Sequence, residues 1–110
     1  MMKRFTVIDN DGDANEGCWL NVGEYGDGHI ALTVNASDGG LFGDITIYIY
    51  GMCVYKQDMS CVDTRNNAWV ADLIEQLGIG RDTGLTLRQN GYEYPVYEFD
   101  RNAIEEYIGG

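Results

Sequence analysis

The sequence predicts an α+β fold in which a largely antiparallel sheet carries one internal helix and one short C-terminal helix. Three observations lead to this prediction. Several short segments alternate apolar and polar residues, glycine-containing turns separate them, and only one internal segment has helical spacing. At 110 residues the chain has the size of one domain, so we expect residues 1–110 to form a single acidic unit.

The N-terminal third of the chain predicts three strands. Residues 3–8 alternate enough to form a first strand, which ends where Asp, Asn and Gly follow, all poor strand formers. Residues 18–25 and 29–35 flank the Gly-Asp-Gly turn at residues 26–28, and glycine accepts the positive φ that tight connections require. We therefore expect an edge or hairpin strand first, and a hairpin after it.

An isoleucine-rich run at residues 44–50 predicts a further strand. Ile45, Ile47 and Ile49 alternate with threonine and tyrosine, which is the period of a strand buried on one face. We expect the isoleucine face to enter the core. Residues 52–63, which follow a glycine, predict another short hairpin.

One internal segment, residues 66–78, predicts a helix. Asn66 or Asn67 is placed to cap its start, and Gly78 is placed to cap its end. Its apolar residues fall at helical spacing and form the predicted core face: Trp69, Val70, Leu73, Ile74 and Leu77. We expect this face to pack against the three isoleucines of the preceding strand.

The C-terminal third predicts a hairpin and a closing helix. Residues 85–99 have the pattern of a strand, an Asn90-Gly91 turn and a second strand. Pro95 indicates that its strand lies at a sheet edge or is bulged, because proline donates no backbone hydrogen bond. Asp100 is placed to cap a short helix over residues 101–108.

The chain is strongly acidic. Seven Lys and Arg against eighteen Asp and Glu give a net charge of −11. A field of this sign repels DNA, RNA and anionic membranes, so we expect neither direct nucleic-acid binding nor membrane association. No run approaches about 18 apolar residues, the length of a membrane span, and residues 1–9 lack the apolar core of a signal peptide. We predict a monomer in the cytoplasm of a bacterial host cell.

The acidic segment DNDGDANEG has the spacing of calcium ligands only in its first half. Asp9, Asp11 and Asp13 match the first positions of an EF-hand loop. Ala14 stands where such a loop needs glycine, and Leu20 stands where it needs a bidentate glutamate. A calcium or magnesium site is therefore the minor alternative to a solvated acidic loop.

The three cysteines, an odd number at wide spacing, predict free thiols. With His29 they have the composition of a zinc site, but Cys18 should lie about 23 Å from His29 along the predicted hairpin. Cys53 and Cys61 could share a metal with a carboxylate, which is the alternative to buried free cysteines. The sequence has neither a phosphate-binding loop nor a nucleophile–base signature, so we predict no cofactor and no enzymatic activity.

Tyrosines and carboxylates mark the predicted partner-binding surface. Six tyrosines lie on predicted strands, where alternate residues share a face: Tyr48, Tyr50, Tyr55, Tyr92, Tyr94 and Tyr97. Tyrosine offers rigid contact area at protein interfaces, although half-buried tyrosines with solvated hydroxyls are the alternative. We predict that the partner-binding residues are Asp9, Asp11, Asp13, Glu16, Glu93, Tyr94 and Glu98.

The second half of the chain carries a pattern of short motifs. They are an Asp-Thr-Asn-Asn entry to a helix, a glycine exit, a Thr-Gly pair, and a Tyr-Pro strand that ends in Phe-Asp. The matching residues are Asp63, Thr64, Asn66, Asn67, Gly78, Thr83, Gly84, Tyr94, Pro95, Tyr97, Phe99 and Asp100. In this pattern, over residues 30–108, the chain resembles an uncharacterised family of small acidic proteins encoded by phages and conjugative elements of gut bacteria. Arg65 and residues 85–90 depart from the family pattern.

The resemblance implies an origin in mobile elements and no catalytic residues. Such elements encode small acidic proteins that occupy the nucleic-acid channels of host defence enzymes, anti-CRISPR proteins among them. A nuclease of this kind holds its nucleic acid in a positively charged channel, which attracts an acidic protein by the same field. We therefore expect a non-enzymatic inhibitor of a host nuclease, with a type II CRISPR effector as the first candidate. The alternative is a metal- or ligand-binding accessory protein of a mobile element.

Overall fold

Two four-stranded antiparallel sheets and two helices make up the described part of the computed structural model, residues 3–52 and 55–109. This confirms the predicted fold class. The first sheet consists, in spatial order, of β1 (Phe5–Ile8), β2 (Ala14–Glu24), β3 (Ile30–Asn35) and β4 (Leu41–Asp44). The second contains β5 (Thr46–Ile47), β6 (Met59–Val62), β7 (Gly80–Gln89) and β8 (Tyr92–Phe99), in the order β5-β6-β8-β7. The helices are α1 (Val70–Leu77) and α2 (Arg101–Glu105).

The hairpin predicted around the glycine turn at residues 26–28 is confirmed. β2 and β3 pair antiparallel in an unbroken register that ends with Glu24 opposite Ile30. The Tyr25 N–H then donates to the His29 C=O at 2.8 Å, which closes the turn. Among the described strands, β1 pairs with β2 alone and is the predicted edge strand.

The single strand predicted over residues 44–50 is wrong, because the chain changes sheets at Ile45. The Ile45 N–H donates to the Leu32 C=O in the first sheet at 3.0 Å. The Ile45 C=O accepts from the N–H of Asp63, directly after β6 of the second sheet, at 2.9 Å. One fully buried residue is therefore hydrogen-bonded to both sheets.

Two apolar clusters follow from this change of sheet. The main core joins the first sheet to α1 and includes Ile45, Val70, Leu73 and Ile74. A second, smaller core consists of Ile49, Met52, Cys61, Tyr94 and Val96. The predicted packing of the helix against all three isoleucines is therefore corrected, since Ile49 belongs to the second core and Ile47 packs at its margin.

The hairpin predicted over residues 52–63 falls partly on residues 53 and 54, which lie outside the described residues. Its second half contains β6, which pairs with β5 on one side and β8 on the other. β6 is therefore an inner strand of the second sheet, between β5, which precedes it in the chain, and β8, which is distant in sequence.

Of the two capping residues predicted for α1, only the one at its C-terminal end is confirmed. Trp69 occupies the N-cap position and makes no capping hydrogen bond, so the predicted asparagine cap is wrong. Asn66 donates to the Asp63 carboxylate instead, and Asn67 donates to a backbone carbonyl of β4. At the other end Gly78 caps the helix with a φ of 66°, as its position in the sequence predicted.

The hairpin of β7 and β8 turns at Asn90-Gly91, as predicted. Both residues have positive φ, 54° and 79°, which is the signature of a type I′ turn. β8 lies between β6 and β7, so the edge-strand interpretation of Pro95 is wrong. The register shifts beside Pro95, but the extra residues lie in the partner strand, since three residues of β7 between Asp82 and Thr86 stand against one residue of β8. The predicted bulge is therefore in β7 and not in the strand of Pro95.

The C-terminal segment packs against the first sheet. Asp100 caps α2 by accepting two N–H groups of its first turn, as predicted. The helix ends at Glu105, so the prediction of a helix over residues 101–108 was too long. Ile108 lies beyond the helix and forms a parallel bridge with Leu20 of β2.

Candidate functional site

The acidic loop between β1 and β2 is organised by its first aspartate. One oxygen of the Asp9 carboxylate accepts the N–H groups of Asp11 and Asp13, at 3.0 and 2.9 Å. The other accepts the side-chain amide of Asn15 at 3.0 Å. These bonds, that of Asn15 first, hold the pKa of Asp9 below its ordinary value. Asp9 therefore shapes the loop, and only Asp11 and Asp13 extend freely into solvent.

Asn10 attaches this loop to the segment that precedes α1. Its side-chain NH₂ donates to the Asn66 C=O at 3.0 Å, and its side-chain oxygen accepts the Ala68 N–H at 3.0 Å. Sequence reasoning missed this role, since its only signal is the ability of Asn to bond to nearby backbone. The loop carboxylates are consequently held beside the start of the helix.

Asp9 gives a testable dependence of stability on pH. Because its folded pKa is lowered, its contribution to stability is complete above the ordinary aspartate pKa of about 3.9 and is lost as the pH falls through the folded value. We expect Asp9→Asn to flatten the acid side of the stability profile, measured by urea unfolding at a series of pH values. Asp11→Asn is the control for charge alone, because it removes one charge from the same loop but none of the hydrogen bonds that the Asp9 carboxylate accepts. Identical slopes for Asp9→Asn and wild type would contradict the role of Asp9 in the loop.

A groove of about 300 Å³ lies between the edge of β1 and α1. β1 and the acidic loop supply one wall, and Trp69, Asp72 and Gln76 supply the other. Asp9 and Asp72 both line the groove, and the described residues that line it include no Lys or Arg. The loop and the exposed side of α1 therefore present negative charge to the same space.

A second hollow, of about 310 Å³, is formed by α1 and β7. Burial raises the pKa of the Tyr97 hydroxyl in this hollow, and the nearby carboxylates of Asp82, Glu75 and Asp72 raise it further. Asp72 lines both hollows, and Glu75 and Asp82 line the second together with Arg81. Asp11 and Asp13 line neither hollow, but they are exposed on the loop that Asn10 attaches beside the start of α1. We name this group of carboxylates the α1 acidic face, and its residues are Asp11, Asp13, Asp72, Glu75 and Asp82.

The seven cationic side chains are engaged with groups outside this face, although Arg81 lines the second hollow. Five form ion pairs: Lys3 with Glu106, Lys56 and Arg81 with Glu98, Arg88 with Glu93, and Arg101 with Asp58. The other two lie over aromatic rings, Arg4 over Trp19 and Arg65 over Tyr92. Within residues 3–52 and 55–109, no member of the α1 acidic face has a cation at ion-pair distance. This face therefore keeps its negative charge.

Comparisons of the chain with protein-family models, with curated proteins and with solved structures find no match. The resemblance to acidic proteins of mobile elements therefore stays a prediction. Of the helices that the structure describes, neither is long and apolar enough to cross a membrane.

The predicted site residues on β8 do not join the α1 acidic face. Glu93 and Glu98 each pair with an arginine, at 2.9 and 2.6 Å, and are thereby neutralised. Tyr94 is only 4% exposed, because β8 is an inner strand and this side chain enters the second core. Its predicted place on the surface is thus corrected. Glu16 is exposed on β2, outside the loop that Asn10 attaches beside α1.

The predicted tyrosine face is dispersed. Tyr48 and Tyr50 are the exposed tyrosines, at 46% and 87%, but they follow β5 and lie on no strand. Tyr55, Tyr92 and Tyr97 are half-buried, which is the alternative that the sequence left open. Tyr97 lies near the carboxylates of Asp72, Glu75 and Asp82.

The cysteines and the histidine occupy separate places. Cys18 and Cys61 are buried in different clusters, and burial raises the pKa of the Cys61 thiol to about 11. The His29 ring lies between the Tyr55 C=O and the Asp27 carboxylate, 3.0 Å from each. Cys53 lies outside the described residues, and so the metal site that it could share with Cys61 stays a prediction. In the described part of the chain, no three His, Cys, Asp or Glu side chains are arranged to hold a metal ion.

Proposed function

We propose that the protein is a non-enzymatic inhibitor that binds a basic surface of a host nucleic-acid-handling enzyme, with the channel of a type II CRISPR effector nuclease as the first candidate. The observation that carries the proposal is the α1 acidic face, whose carboxylates have no cation partner among the described residues although the chain has seven Lys and Arg. A channel that holds nucleic acid is positively charged and attracts such a face. The predicted origin in a mobile element supports the choice of a defence enzyme.

The rigidity of the face also supports this function. Asp9 and Asn10 fix the loop by hydrogen bonds to the loop itself and to residues 66–68. α1 then presents Asp72 and Glu75 on its exposed side. Charges that are already in place need little ordering when a partner binds, so more of the interaction energy appears as affinity.

DNA cleavage by a purified, guide-loaded type II effector tests the proposal. The wild-type protein should inhibit cleavage, and inhibition should weaken as salt is raised because charge attraction is screened. In a face variant, Asp11→Asn, Asp13→Asn, Asp72→Asn and Glu75→Gln remove charge with little change of volume. We expect the concentration of this variant that gives half-inhibition to be at least about tenfold higher than that of the wild type, because close charge pairs contribute strongly to affinity at interfaces.

A matched variant controls for net charge. It carries Glu24→Gln, Asp38→Asn, Asp44→Asn and Glu105→Gln, none of which belongs to the α1 acidic face or to an ion pair. It should inhibit within about threefold of the wild type, as expected when only long-range attraction changes. Equal losses in both variants would show that net charge alone matters. Absence of inhibition by the wild type would contradict this class of partner.

A further inference from the structure

The outer edge of β1 is open for pairing. β1 is the first strand of its sheet, and β2 is its neighbour on one side. The Asp9 N–H donates to the Asp13 C=O at 2.9 Å, so these opposed residues form a hydrogen-bonded pair. Opposed residues in antiparallel strands alternate between bonded and non-bonded pairs, so Ile8, opposite Ala14, belongs to a non-bonded pair. The backbone N–H and C=O of Ile8 therefore point away from β2.

This edge lacks the protection that edge strands usually carry. Exposed edges are commonly blocked by charged side chains, proline or a covering segment. The strand Phe5–Ile8 reads FTVI, with neither a charge nor a proline, and Ile8 is 54% exposed. β7, the edge strand of the second sheet, carries Arg81, Asp82 and Arg88 by contrast.

The groove between β1 and α1 lies directly along the open edge. Thr6 and Ile8 line it on the strand side, and Asp72 and Gln76 line it on the helix side. An added strand would lie about 4.8 Å from β1 and would place alternate side chains on opposite faces. Apolar side chains of such a strand can contact Ile8, and basic ones can reach Asp72.

We propose that this groove binds an extended, lysine- or arginine-containing segment of a protein partner, which adds to β1 as a further strand. Charge complementarity selects the occupant, because the described residues that line the groove include two carboxylates and no cation. Backbone hydrogen bonds supply affinity in strand addition, and side-chain pockets supply selectivity. The proposal rests on the proposed function for the positive charge of the partner, and it specifies how part of that partner is held.

A titration with synthetic peptides tests the groove without any nuclease. The probe is a short peptide of alternating Lys and Val with blocked termini, added to the isotope-labelled full chain and followed by amide NMR shifts. We expect saturable shifts at Thr6, Ile8, Asp72 and Gln76. A Glu–Val peptide of the same length should not bind. A Lys–Val peptide N-methylated on alternate amides keeps the charge but loses backbone donors, so it should bind about fivefold more weakly or worse.

Protein variants complete the test. Asp72→Asn should weaken binding of the Lys–Val peptide by about two- to fivefold, which is the effect expected from losing one exposed charge pair. Ile8→Pro removes the outward N–H while leaving the bonds to β2, so it should abolish strand addition, whereas Ile8→Val should bind as wild type. Shifts confined to other surfaces, or equal binding of the N-methylated peptide, would overturn the proposal even if Ile8→Pro misfolds.

The nuclease assay separates this inference from the proposed function. If the wild type inhibits the nuclease but does not bind the Lys–Val peptide at β1, the strand-addition proposal fails and the proposed function stands. If the peptide binds at β1 but no nuclease is inhibited, the groove is supported and the choice of nuclease fails.

Discussion

Replacing Leu73 by alanine is expected to lower the free energy of unfolding by about 2–5 kcal/mol, because the truncation leaves a cavity in a closely packed core. Leu73 is 3% exposed and belongs to the main core, where α1 meets the first sheet. Urea unfolding followed by circular dichroism measures the loss. Leu77→Ala is the control and should cost less, since Leu77 is only partly buried at the same core. A loss of a few tenths for Leu73→Ala would show that α1 does not pack on the sheet.

Replacing Gly80 by alanine is expected to destabilise the protein by about 1–3 kcal/mol, the range of overpacked sites. A Cβ at Gly80 would lie 2.9 Å from a ring carbon of Phe99 and 3.0 Å from the Glu98 C=O. The carbonyl belongs to the inner strand β8 and cannot move without disturbing the pairing of the second sheet. Thermal unfolding of the purified variant measures the effect.

Gly26→Ala is the matched control for this substitution. A Cβ at Gly26 meets no heavy atom within 4 Å, and this glycine is not among those with positive φ. Its unfolding free energy should therefore stay within about 0.5 kcal/mol of the wild type. If Gly80→Ala also left the unfolding free energy unchanged, the close contact between Gly80, at the start of β7, and Phe99, at the end of β8, would be refuted.

Local signals in the sequence predicted the local structure well. The turns at residues 26–28 and at Asn90-Gly91 require positive φ, and glycine or asparagine at the right positions reveals them. The cap residues Gly78 and Asp100 were likewise predictable, because each bonds to backbone within its own turn. Such contacts depend on neighbours in the sequence, which a pattern can show.

Contacts between distant segments were not predictable in the same way. The alternation at residues 44–50 is that of one strand, and it does not reveal that Ile45 bonds to two different sheets. Likewise, nothing near Asn10 in the sequence indicates its bonds to residues 66–68. The burial of Tyr94 depends on the inner position of β8, which follows from the order of strands and not from the period of side chains.

The candidate site was predictable only in part. The polar side of the predicted helix contained Asp72 and Glu75, and the loop contained Asp11 and Asp13, but the bonds of Asn10 that hold the loop beside the helix could not be foreseen. The sequence also could not separate free carboxylates from paired ones. Glu93 and Glu98 are carboxylates like those of the α1 acidic face, but each lies beside an arginine of β7.

The double engagement of Ile45 bears on how the protein unfolds. Its N–H is bonded into the first sheet and its C=O into the second, and its side chain is fully buried. Opening either sheet at Ile45 exposes apolar surface and breaks one of the two backbone hydrogen bonds of this residue. The bond to the other sheet helps to hold Ile45 in the position that the broken bond requires. We therefore expect the two sheets to unfold together, and a cut at this crossing would leave each fragment with its own four strands but an incomplete core.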